Sequence, residues 1–288
     1  LLLRILAILA AALVALPASA RHLYAATAHL DPKNGESAGQ LYVINPETGR
    51  AKLIGPIRID GGIALAIDGL AVHPKTRALY GITYRSSPEP SLIMIDPHSA
   101  AARKIGPLGV RGTDIHFDGS GTLYIWIAES HRLGTVNLET GAVTLLPPTE
   151  ISGAGGLAIS PQGLAIVAGS TEGGVIDEVD VETGALVGGV SVINNSVLNA
   201  VYALTYMPTR SLLAVNQVKG REKGRELVSI DPESGNVTRI GVLPDEVDAI
   251  AFDDSPGRSG GSKAGLLGYF VVILSGLALA DTIRWRRK

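Results

Sequence analysis

The chain of 288 residues contains no cysteine, two methionines and two tryptophans, and only 5% of it is aromatic. Without cysteine there can be no disulfide framework and no thiolate zinc site, so an apolar core must hold any fold unaided. Residues 21–254 are numerous enough to bury one. Charge is also sparse, at 18% charged residues and a net charge of −2. A hydrophobic content of 46% nevertheless excludes a disordered chain, and 35 glycines without a three-residue period exclude collagen and coiled coil. Missing too are paired-histidine zinc spacing, a G-x-S-x-G elbow and a P-loop phrase.

The mean hydropathy of +0.27 is high for a soluble protein, but the apolar residues are gathered at the two ends. Residues 1–20 carry one early cation, Arg4, then an apolar run, a helix-breaking Pro17 and Ala18-Ser19-Ala20. This is the layout of a signal peptide, with cleavage expected after Ala20; an uncleaved anchor is the alternative. At the other end a Gly/Ser linker (255–263) leads to an apolar stretch (264–280) and a basic tail (281–288). Seventeen apolar residues would reach about 25 Å as a helix, the short end of a transmembrane span. The tail's cations would stay in the cytoplasm, which places the domain outside the membrane. A buried core helix is the alternative, but this segment has no polar face to show solvent. Setting aside Arg4, the four terminal cations and Asp281 leaves 20 cations against 26 carboxylates, about −6, so nucleic acid is not an expected partner.

Between the ends one phrase recurs five times: Asn45-Pro-Glu-Thr-Gly49, Asp96-Pro-His-Ser-Ala100, Asn137-Leu-Glu-Thr-Gly141, Asp180-Val-Glu-Thr-Gly184 and Asp231-Pro-Glu-Ser-Gly235, at spacings of 51, 41, 43 and 51. Asp or Asn caps a turn, Pro fixes φ, and Gly takes the positive-φ position. Short apolar strands flank each turn and two more lie upstream, giving four antiparallel strands per repeat. The expected fold is all-β, a five-bladed β-propeller. The first repeat lacks its innermost strand, and residues 248–253 match residues 68–73 position for position. The ring is therefore expected to close by strand exchange, as a monomeric propeller without free edges between blades. An open sandwich of the same strands would leave the terminal match unused.

With these repeats in view, the sequence resembles exported bacterial β-propeller proteins, whose repeats run through an Asp-Pro turn, a Leu-Tyr strand and a strand ending in Asp-Pro-x-Thr-Gly. The resemblance covers residues 23–254 and implies a fold, not an activity. The tail resembles bacterial C-terminal sorting signals, with Gly260-Gly261 like the pair recognised by rhomboid-type sorting proteases. Pro88-Glu89-Pro90 lies inside the domain and is not such a motif.

Aligning the innermost strands yields an axial column of Ala71, His116, Ala158, Thr205 and Ala251. Its flanking columns, among them Leu70, Ile115, Val72 and Phe117, are expected to pack between blades. At the strand starts stand Asp68, Thr113, Gly155, Tyr202 and Asp248, with Asp114 adjacent. Converging carboxylates at a channel mouth could hold Ca²⁺ or act as acid and base, so Asp68, Asp114, His116 and Asp248 are catalytic candidates and Asp68 and Asp248 metal candidates. The structural reading of each Asp is a strand-start acceptor of backbone N–H groups. Extra residues in blades five, one and two fall in the loops between second and third strands, which should form one raised sector. That sector carries Lys33, Tyr84, Arg85, Lys219, Arg221, Lys223 and Arg225. The leading expectation is a membrane-tethered module binding a protein or glycan through these loops. The rival is a metal-dependent hydrolase or lactonase-like enzyme at the channel mouth.

Overall fold

The computed structural model describes residues 22–28, 39–151, 154–169, 175–192, 198–207 and 211–254. All of these fall in one compact unit, Arg21–Asp254. The terminal segments 1–20 and 255–288, with the signal, linker and span expected there, lie outside the described residues. So does Lys33. Among the described residues no helix is long and apolar enough to cross a membrane.

Among the described residues twenty-one strands form five sheets arranged as blades, antiparallel except for one short added strand. Blade one pairs β1 (His22–Thr27), β2 (Gln40–Ile44) and β3 (Ala51–Pro56) with a strand from the far end of the chain. Blade two contains β4 (Arg58–Ile59), β5 (Ile67–Val72), β6 (Leu79–Thr83), β7 (Ser91–Ile95) and β8 (Ala101–Pro107). Blade three is β9 (Asp114–Phe117), β10 (Leu123–Ile127), β11 (Arg132–Val136) and β12 (Val143–Pro148). Blade four is β13 (Ala154–Ile159), β14 (Leu164–Gly169), β15 (Val175–Asp180) and β16 (Leu186–Ser191). Blade five is β17 (Val201–Tyr206), β18 (Leu212–Gln217), β19 (Arg225–Ile230) and β20 (Val237–Leu243). The closing strand β21 (Val247–Asp253) then supplies the innermost position of blade one, pairing Tyr24 with Ala251 and Ala25 with Ile250. The strand exchange read from the repeat match is thus the architecture of the chain.

One feature departs from four strands per blade. The link between blades one and two crosses the outer edge of blade two and adds β4 parallel to β8, aligning Arg58 with Ala101. Fully buried Ile57 anchors this crossing, and its N–H donates to the Gly39 carbonyl at 2.6 Å. A two-residue strand has no periodicity to read, which is why the sequence pattern does not announce it.

The recurring turns form as their residues dictate. Asn45 Oδ1 accepts the Glu47 and Thr48 N–H groups at 2.9 and 3.0 Å, and Asp231 Oδ1 those of Glu233 and Ser234 at 2.8 and 3.1 Å. These bonds favour the charged carboxylate and hold Asp96, Asp180 and Asp231 below the ordinary aspartate value. Gly141 takes φ +78° at the end of its turn, and a second demand falls on the same residue. A Cβ there would lie 2.5 Å from the Gly106 carbonyl oxygen, in the outer strand of the preceding blade. Gly49 meets Gly241 of blade five in the same way, across the point where the ring closes. Each turn therefore docks on the outer strand of the blade before it.

Inside the ring, Leu70, Ile115, Leu157, Leu204 and Ile250 are all at most 1% exposed and fill the spaces between blades, as their column predicts. The other flanking column behaves differently at its far end. Val72, Tyr206 and Phe252 are only half-buried and line an open mouth of the channel, whereas Phe117 and Ile159 of the same column are buried.

Candidate functional site

The loops joining second and third strands open on the same face as the starts of the innermost strands. At that mouth is a cavity of about 290 Å³ whose wall includes Asp68, Thr113, Gly155, Tyr202 and Asp248. All five strand-start positions from the repeat alignment thus meet at one place. Arg85, Arg111 and Glu129 complete the charged part of its rim.

The carboxylates of this mouth already have partners. Asp68 starts its strand and is 1% exposed; its Oδ2 accepts the Arg85 N–H at 2.6 Å, while its Oδ1 lies 3.3 Å from the Arg85 guanidinium. Among the described residues no hydrogen-bond donor is aligned on Oδ1, nor on the Oγ1 of neighbouring Thr113. Asp248 is gripped by Arg225, whose Nε and a terminal nitrogen both stand 2.8 Å from Oδ1. The guanidinium carbon of Arg225 also sits 3.9 Å above the Tyr202 ring centroid, a cation–π contact made inside the protein. Both ends of the closing strand are held this way. At the opposite end, Arg77 of blade two contacts Asp253 at 2.9 Å and Asp254 at 2.6 Å.

Asp114 does something the strand-start column does not reveal. It is fully buried, and its carboxylate accepts three backbone N–H groups: Ile115 at 2.9 Å, Leu157 at 2.9 Å and Leu204 at 3.2 Å. These donors belong to three different blades. Innermost strands converge at the axis without pairing to one another, so their inward N–H groups need an acceptor, and one carboxylate serves three. Burial pushes the Asp114 carboxyl upward while the three N–H groups pull it down. His116 lies further along the axis and lines the opposite mouth, away from Asp68 and Asp248. Among the described residues, no three His, Asp or Glu side chains come together as a metal-ligand set.

The loop cations separate into two kinds. Arg225 is buried and Lys223 contacts buried Glu246 at 2.9 Å, while Arg221 reaches Asp245 at 3.3 Å. All three tie the blade-five loop to the segment that leads into the closing strand. Lys219 is exposed and makes no ion pair among the described residues, and Arg85 is 39% exposed beside Tyr84 despite its bond to Asp68. The exposed Arg111 also lacks an ion pair among the described residues. Sequence reasoning missed Arg111 and Glu129. Glu129 lies in the blade-three loop between second and third strands, as Arg85 does in blade two, whereas Arg111 lies two residues before Thr113 in the link between blades two and three, which a comparison of those loops does not cover.

Burial raises the Asp68 carboxyl from 3.8 to about 7, against the opposing pull of Arg85. The folded protein thus retains a proton that the unfolded chain releases near pH 4. Between about pH 4 and pH 7 folding binds more protons than unfolding, and the contribution of Asp68 to stability falls as pH rises. The stability of the parent chain relative to Asp68→Asn should decline by about 2–3 kcal/mol from pH 5 to pH 8, measured by urea unfolding. A pH-independent difference would mean that Asp68 is charged throughout.

No family model matches the chain, and no curated protein matches it. Its likeness is to solved structures. A chain in the crystal structure of a nidogen/laminin complex superposes with a TM-score of 0.53 at 15% identity, over 81% of this chain and 98% of that one. A protein of unknown function from Bacteroides caccae superposes with a TM-score of 0.52 at 13% identity, over 82% and 99%. These likenesses show the fold alone.

Proposed function

We propose that this chain is a binding module and not an enzyme, taking a protein or glycan ligand on the face that carries the loops of blades five, one and two. The observation that carries the reading is the state of the charges at the mouth. Asp68 and Asp248 each hold an arginine and Asp114 holds three amides, so the carboxylates are engaged in building the rim. Toward solvent the face presents the cations Arg111, Lys219 and the exposed part of Arg85 together with the Tyr84 ring, with Glu129 and Glu222 interspersed. Such a rim suits an acidic patch or a hydroxyl-rich surface. The nidogen/laminin structure names an assembly of two proteins, which favours a protein ligand over a glycan. The proposed setting is extracytoplasmic, with residues 1–20 as the export signal and residues 264–280 as the membrane anchor. In this reading the propeller works as a monomer.

Arg111→Glu combined with Lys219→Glu is the direct test, because among the described residues neither makes an ion pair. Capture of the native envelope partner by the full chain should fall at least tenfold in the double variant while the melting temperature stays unchanged. Equal capture of the same partner would overturn the assignment of this face. Saturable Ca²⁺ binding lost in Asp68→Asn would instead support the metal-dependent hydrolase.

A further inference from the structure

The two mouths of the channel have opposite chemistry. The mouth away from the charged loops is a cavity of about 220 Å³, walled by Phe117, Tyr206, Met207 and Phe252 with Ala71 and Ala251 on the axis. The alanines leave the space and the rings give it flat walls. Phe117 is fixed by His73 and Tyr80, at centroid distances of 4.9 and 5.5 Å.

The charges around this mouth are taken. Arg77 is paired with Asp253 and Asp254, and Asp118 Oδ1 accepts from the Ser120 hydroxyl and from the Gly121 and Thr122 N–H groups, each at 2.8 Å. Two neutral polar groups keep capacity to spare. His116 Nδ1 lies 2.8 Å from the Phe117 carbonyl oxygen, which can only accept, so Nδ1 carries the proton and Nε2 offers a lone pair. Burial lowers the pKa of His116 to about 4, which keeps the ring neutral at physiological pH. Among the described residues Nε2 has no hydrogen-bond partner. Thr205 Oγ1 accepts the Phe252 N–H at a long 3.4 Å and retains its own O–H as a donor.

We propose that this mouth is a separate binding site for a small, uncharged one-ring alcohol or phenol. Its ring packs between Phe117, Tyr206 and Phe252, and its hydroxyl donates to His116 Nε2 while accepting from Thr205. An apolar cavity of about 150 Å³ suffices for benzene, so this one has room for a ring and its hydroxyl. An anion would find the Arg77 guanidinium already paired with Asp253 and Asp254.

Calorimetric titration of the full chain with p-cresol and with toluene tests the site. The expected result is saturable binding of both, with p-cresol at least tenfold tighter. In His116→Leu, p-cresol should fall to the affinity of toluene while toluene binding stays unchanged, which would show that the cavity is intact. In the unmutated chain, the His116 Nε2 nitrogen resonance should shift on adding p-cresol and not on adding toluene. Absence of p-cresol binding at millimolar concentration, equal affinities for the two probes, or a preference that survives His116→Leu would each overturn the proposal. The site is independent of the loop face, so Arg111→Glu with Lys219→Glu should leave p-cresol binding unaltered.

Discussion

Asp114→Ala is expected to lower the melting temperature by about 10 °C or more, the cost of about 3–5 kcal/mol when a buried acceptor of several hydrogen bonds is removed. The Ile115, Leu157 and Leu204 N–H groups all terminate on this carboxylate. They lie on the innermost strands of blades three, four and five, where no neighbouring strand supplies another acceptor. Deleting the carboxylate strands three donors at once. Asp114→Asn keeps one accepting oxygen and should lose roughly half as much stability, a graded response that a cavity effect would not give. Calorimetric melting of the parent and both variants would measure it, and an alanine variant melting within about 2 °C of the parent would remove Asp114 from the architecture.

A comparable loss, about 3 kcal/mol, is expected for Gly106→Ala, where overpacking meets backbone that cannot step aside. A Cβ at Gly106 would stand 1.9 Å from the Thr140 carbonyl oxygen and 2.8 Å from its carbon, so blades two and three would have to separate. Gly55 holds the related position in blade one, yet a Cβ there would find its nearest neighbours at 3.8 and 3.9 Å. Gly55→Ala should accordingly cost less than about 1 kcal/mol. The pair isolates close approach from helix or strand propensity, because both glycines sit in outer strands. Urea unfolding of the two variants distinguishes them, and equal destabilisation would mean that blade contact at the turn is not what demands glycine.

The contrast between Gly106 and Gly55 also marks how far a repeat can be read. The turn phrase, its spacing and the match of residues 248–253 to residues 68–73 are local patterns, and they sufficed for blade number and ring closure. Gly141 was legible as a positive-φ residue, whereas its contact with Gly106 depends on how neighbouring blades are set, which no single repeat encodes. The site divides along the same line. The five strand-start residues could be brought together by alignment because a ring places equivalent positions around one axis. Their roles could not. The bond of Asp68 to Arg85, the stacking of Arg225 on Tyr202 and the reach of Asp114 across two blades are contacts between residues 17 to 90 positions apart. Residue type alone would assign these carboxylates equally well to a metal, a proton transfer or a backbone N–H, and only the folded geometry shows which groups each one meets. Arginines that read as ligand contacts in a polar loop proved in part to be fastenings of the closing strand.

The most direct measurement of the binding reading is site-specific photocrosslinking in the cell. A photoreactive residue at Glu129 or Lys219 samples the loop face, and one at His98 or Lys75 samples the turns on the opposite face. The account expects a discrete macromolecular crosslink from the first pair, absent when Arg111→Glu is combined with either probe, and none from the second. Crosslinks arising only from His98 or Lys75 would contradict it.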